Sequence, residues 1–191
     1  MEENILFKLA DLSPWVRTIL NWLIIVLSLL LCLLILPTRF MGMELLGVTP
    51  HWVLIWLVTW SMKRNSWSGA IAGLILGLIQ DGLTSSDTTH IFSLVAVGAL
   101  TGSFQKDKYI KEDFISIALI VFAMTIIAET IMAIQFSIPA EGVILNRDIG
   151  EIWLKYQKVA LASAIISSLY APVIYYPLNI WWSNLKSLQR Y

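Results

Sequence analysis

Long apolar runs separated by short polar connections dominate this chain, and the strict apolar-polar alternation of half-buried strands is absent. Six runs read as helices, over about residues 19–36, 43–62, 67–83, 88–103, 114–136 and 158–178. The first is rich in Leu and Ile with almost no small residues, which predicts a helix showing much of its surface to lipid until Pro37 ends it. Trp15 and Trp22 lie at its start, where amphipathic rings favour a membrane interface. This opening run is too long, and its flank too acidic, for a cleavable signal peptide.

The second run is opened by Thr49 and Pro50, an N-cap and a first-turn proline. From Pro50 to Met62 it would be only about 20 Å long. Met43 to Val48 must therefore extend it, or it meets the membrane at a shallow depth. Trp52, Trp56 and Trp60 recur every four residues along it and predict an aromatic ridge.

In the third run, WSGAIAGLILGLIQDGL, Gly69, Gly73, Gly77 and Asp81 share one helix face. Each glycine costs about 1 kcal/mol relative to Ala in a helix interior, so three in register imply another backbone in close approach. The fourth run carries its own pair, Gly98 and Gly102. A Ser/Thr-rich turn lies between them, with Asp87 as a second N-cap. The fifth run holds Glu129 well inside its length. Before the sixth, DIGEIWLKYQK reads as an amphipathic entry, and Pro172 should kink the sixth helix itself.

Composition turns this pattern into a class. Hydrophobic residues make up 58% of the 191 positions and charged residues 14%, against about 45–50% apolar in soluble domains. The expectation is a single-domain, all-α integral membrane protein with six transmembrane helices. Six crossings put both termini and the second and fourth connections on one side. That side carries Lys8, Arg17, Lys63, Arg64, Lys106, Lys108, Lys111, Lys186 and Arg190, whereas the other holds Arg39, Arg147, Lys155 and Lys158. By the positive-inside rule both termini face the cytoplasm. Thirteen basic residues balance thirteen acidic ones, so nothing points to nucleic acid. Cys32 stands alone in an apolar run, which leaves no intrachain disulfide and no cysteine-based metal site.

No catalytic motif is present: GxSxG, HExxH, GxxxxGK[ST] and GxGxxG are all missing, and the expectation is a protein that is not an enzyme and needs no cofactor. The polar set that stands out is Gln80, Asp81, His90 and Glu129. At about 1.5 Å per residue, Asp81 and Glu129 fall at similar depth in the outer half. Such carboxylates either form a proton or ligand site or fix neighbouring helices by hydrogen bonds. His51 and His90 both open helices and read as interfacial capping or packing residues.

The stretch PHWVLIWLVTWSMKRNSWSGAIAGLILGLIQDGLTSSDTTHIFSLVAVGALTG resembles the rod shape-determining protein MreD family. The matching features are Pro50 and Trp52 opening a helix, a short basic turn, Gly73 and Gly77 leading to Asp81, then Ser85 and His90 opening the next helix. Asp87-Thr88-Thr89 stands where the family commonly has a Gly-Leu or similar pair before the histidine. The resemblance implies a bacterial cytoplasmic-membrane scaffold of the cell-elongation machinery. It would bind the bitopic partner MreC and be linked through it to MreB and to the peptidoglycan polymerase and transpeptidase. It also implies a fold similar to the substrate-binding subunits of energy-coupling-factor transporters. The expected packing and partner surface is Gly69, Gly73, Gly77, Gly98, Gly102, Pro50 and Trp52, with homo-oligomerisation left open. The alternative is a vitamin-binding subunit of such a transporter. Against it, helix 1 offers only Ser28 and Cys32 at the spacing by which such subunits dock their energising module.

Overall fold

The computed structural model describes residues 13–36, 44–45, 47–84, 88–104, 114–138 and 149–188. Six α-helices lie among them: α1 (Pro14–Ile35), α2 (Trp52–Ser61), α3 (Ser66–Leu83), α4 (Ile91–Ser103), α5 (Phe114–Ser137) and α6 (Ile149–Leu188). Three are long and apolar enough to cross a membrane: α1 over Trp15–Ile35, α5 over Phe114–Ser137, and α6 over Tyr156–Leu185. Two others, α2 and α4, are apolar but shorter. The described residues are thus helical apart from short turns, with three helices of the length and composition of an integral membrane protein.

Helix α2 sits at the centre. Every residue from Val53 to Thr59 is buried, and α2 touches each of the other five helices. Its sequence explains this: WVLIWLVTWS is apolar on all sides, and a helix with no polar face must be covered all round. The structure corrects the expected start of this helix. Thr49 is not its N-cap, and the segment before it does not join it. Leu45 and Val48 instead exchange two backbone hydrogen bonds of 3.0 Å around Gly47, whose φ of +79° favours glycine. His51 takes the N-cap position, and at about 15 Å the helix is half the thickness of the hydrocarbon core.

The tryptophan ridge faces inward. Trp56 is 4% exposed, stacks on Trp60 at 6.2 Å and donates from Nε1 to Ser28 Oγ at 3.0 Å, which ties α2 to α1. Trp52 packs on Tyr170 of α6 at 5.3 Å. Beyond these contacts α1 is loosely held: Ile25 and Cys32 are buried, while Leu23, Val26, Leu27, Leu30, Leu31 and Leu34 remain exposed.

Helices α3 and α4 pack most closely. A Cβ on Gly69 would collide with the Gly98 carbonyl, and one on Gly98 with the Gly69 carbonyl. At Gly77 it would lie 2.6 Å from Ile91 Cα, and at Gly102 2.6 Å from Ser66 Cα. The two stripes face each other, backbone against backbone. Ser66 Oγ also donates to the Ala99 carbonyl at 2.7 Å.

Helix α6 is longer than the expected 158–178. The amphipathic entry continues into it without a break, and it runs through Pro172 and Pro177. Prolines are tolerated inside a membrane helix because neighbouring groups can satisfy the freed carbonyls. The N-cap expected at Asp87 and the loop lysines Lys106, Lys108 and Lys111 lie outside the described residues.

The α3–α4 contact yields a paired test. A methyl group at Gly73 would fall 2.6 Å from the Leu94 carbonyl carbon and 2.8 Å from Val95 N, whereas Gly82 has nothing within 4 Å. Gly73→Ala should destabilise the protein by about 1–3 kcal/mol through overpacking. Gly82→Ala should leave stability unchanged or raise it by up to about 1 kcal/mol. Thermal unfolding in mild detergent distinguishes them, and equal midpoints for the two variants would contradict the packing.

Candidate functional site

Beyond the wall of α2 the helices part around a polar chamber of about 280 Å³. The turn before α2 supplies Pro50 and His51, α2 supplies Trp52, and the end of α3 supplies Gln80. From the start of α4 come His90 and Ser93, from α5 Glu129, and from α6 Ser163. The shortness of α2 makes the space. A helix ending at Trp52 leaves room above it that a full-length span would fill.

Each polar group is positioned by local structure. Ser93 stands three residues after His90, so both lie on one face of α4, and Ser93 Oγ donates to the His90 carbonyl at 2.9 Å. Ser163, 2% exposed, lies within hydrogen-bonding reach of the Glu129 carboxyl. His51 is held twice: its backbone N–H donates to Ser167 Oγ at 2.9 Å, and Nδ1 accepts from Leu54 N–H at 3.4 Å. That acceptor role assigns the His51 ring proton to Nε2 and keeps the ring neutral.

Asp81 fastens the α3–α4 turn. Its Oδ1 accepts from the His90 backbone N–H and from His90 Nδ1, both at 2.7 Å. The carboxylate assigns the His90 proton to Nδ1. Charge-assisted bonds of this kind are short and about twice as strong as neutral ones. The His90 ring meets His51 edge-on at a centroid distance of 6.5 Å. The chamber is therefore joined to the clasp: Asp81 orients His90, and His90 faces His51.

Two acceptors here have no partner among the described residues, Gln80 Oε1 and Asp81 Oδ2. Gln80 is only 5% exposed, and such a group costs roughly 1–3 kcal/mol if nothing bonds to it. Among the described residues, the chamber lining includes no lysine or arginine. Nor is any group of three or more described His, Cys, Asp or Glu residues arranged to hold a metal ion. The chemistry available is hydrogen bonding and charge, with acceptors in excess.

The two residue sets read from sequence separate in space. Gln80, His90 and Glu129 converge on the chamber, with Asp81 behind His90, and Pro50 and Trp52 join the same wall. The glycines do not. Gly69, Gly73, Gly77, Gly98 and Gly102 are spent on α3 against α4. Sequence reasoning gave His51 a capping role, which it has, but did not bring it to the chamber. Ser163 is one of several small residues along α6, and nothing local in the sequence distinguishes the one that meets Glu129.

Comparison with known proteins adds one match. A family model described as rod shape-determining protein MreD matches residues 16–177. No curated protein and no solved structure matches the chain.

If Asp81 fastens the turn, its variants should rank. Asp81→Asn keeps an acceptor but loses the charge, while Asp81→Ala loses both bonds. Hydrogen bonds to a charged group contribute about 1.5–3 kcal/mol. The expected order of thermal midpoint is wild type, then Asn, then Ala, with the His90 amide exchanging faster in Asp81→Ala by hydrogen-exchange mass spectrometry. Indistinguishable exchange in all three would rule out the clasp.

Proposed function

Because the chain belongs to the rod shape-determining MreD family, we propose that it serves as a non-enzymatic membrane scaffold of the bacterial cell-elongation complex. In this reading it sits in the cytoplasmic membrane with both termini inside and binds the bitopic protein MreC. Through MreC it links the MreB cytoskeleton to the peptidoglycan polymerase and transpeptidase. The observation that carries the reading is the family match over residues 16–177. The structure is compatible with a scaffold, because its closest packing serves to make a stiff α3–α4 pair rather than a moving part.

The partner surface in this proposal differs from the one the glycine stripes suggest. Those stripes are covered by each other, so an incoming helix cannot use them. An apolar groove of about 600 Å³ between α1 and α6 remains open, lined by Leu27, Leu31, Tyr170, Val173 and Ile174. Association of helices within lipid depends on packing shape, and a groove offers a transmembrane helix more contact than a convex face.

The test is recovery of MreC with the tagged protein from its host's membranes. Leu31→Trp and Val173→Trp fill the groove and should reduce MreC recovery several-fold and impair rod shape. Leu119→Trp, on the exposed face of α5, should do neither. Equal recovery from all three variants would remove the groove from the proposal, and failure of the wild type to recover MreC would remove the partner.

A further inference from the structure

Glu129 belongs to two cavities. One is the polar chamber, where Ser163 reaches its carboxyl. The other is a separate groove of about 330 Å³ between α5 and α6, whose lining also includes Thr130, Trp153, Tyr156 and Gln157. The groove is at the small end of the range for ligand sites, about 300–1,000 Å³.

The lining favours one ligand class. A carboxyl at this position within the apolar length of α5 is costly to ionise unless something cationic approaches it, and among the described residues the groove lining includes no lysine or arginine. Trp153 and Tyr156 add aromatic surface, which attracts a cation through the ring quadrupole. Tyr156 is braced by Phe136, the ring centroids 5.7 Å apart. Thr130 Oγ1 donates to the Ile126 carbonyl at 2.7 Å, which leaves its lone pairs free to accept. Gln157 supplies an amide carbonyl. Carboxylate, hydroxyl and amide oxygens beside aromatic rings match a group with three N–H donors and one positive charge.

We propose that the groove between α5 and α6 is a binding site for a primary ammonium group, with Glu129 as its counter-ion and Trp153 and Tyr156 as its aromatic walls. The group comes either from a free amine or from the headgroup of an ethanolamine phospholipid, since both present the same chemistry. The site is independent of the scaffold reading and of any protein partner. Bound ammonium stabilises the ionised form of Glu129, so occupancy should raise the stability of the α5–α6 pair by mass action.

The experiment uses the full chain in lipid nanodiscs, with n-butylammonium chloride as the probe and n-butanol and sodium butyrate as controls. In discs of phosphatidylcholine, millimolar butylammonium should raise the thermal midpoint, and neither control should. Glu129→Gln, nearly isosteric, should weaken the apparent affinity by about tenfold or more. Trp153→Leu, which leaves the carboxyl in place, should weaken it by a smaller factor. A second set of discs contains phosphatidylethanolamine. A midpoint higher there than in phosphatidylcholine, with the difference lost in Glu129→Gln, identifies the lipid headgroup as a source. A butylammonium shift without that lipid effect identifies a free amine. The proposal is overturned if neither amine nor lipid changes the midpoint, if butanol acts as strongly as butylammonium, or if Glu129→Gln responds like the wild type.

Discussion

The structure depends on the complete burial of a ten-residue helix. With no polar side, α2 is stable only where other helices cover it all round, and all five do. Its side chains fix where each neighbour lies: Trp56 reaches Ser28 of α1, Trp52 meets Tyr170 of α6, and Val53 to Thr59 fill the middle. Because α2 is half the length of a membrane span, it also leaves a void beyond its N-terminus. The chamber is that void, and its polar lining exists because the turn before α2 and the ends of α3 and α4 have backbone and side-chain groups to satisfy.

Around this centre the helices are held with unequal firmness. Helices α3 and α4 meet through glycine all along their contact and through the Asp81–His90 clasp at one end, so the pair is fixed along its length. By contrast, α1 is attached along one narrow side and exposes most of its leucines. Such an arrangement suits a protein whose rigid part presents a fixed shape and whose loosely packed flank meets lipid or another helix. Rod shape determination is the role its family is described by.

Polar groups within the bundle follow the same economy of contacts. Asp81 finds two donors on one oxygen, Ser163 meets Glu129, and Ser167 meets the backbone of His51. Gln80 Oε1 is buried without a partner among the described residues, in a residue that lines the chamber. The chamber and the α5–α6 groove share Glu129.

The glycine stripes show where reading the sequence succeeded and where it stopped. Spacing of four along α3 and the pair on α4 required close backbone approach, because Gly in a helix costs stability unless contact returns it, and the structure places those stripes together. Spacing could not say that they meet each other and leave none for a partner. The pattern and composition pointed to a helical membrane protein, since 58% apolar residues in long runs exceed what a soluble domain carries. The lengths of α2 and α6 were not legible. Thr49-Pro50 is a good start signal, yet the preceding turn closes on Gly47 and the helix begins at Trp52; conversely, an interrupted apolar pattern did not break α6, which runs on through Pro172 and Pro177. The chamber was half legible: polar residues in apolar runs stood out, but His51 and Ser163 joined Gln80 and Glu129 only through contacts between distant segments. Local pattern fixes what each helix needs to bury. Which neighbour buries it, and what is enclosed as a result, is settled by three-dimensional packing alone.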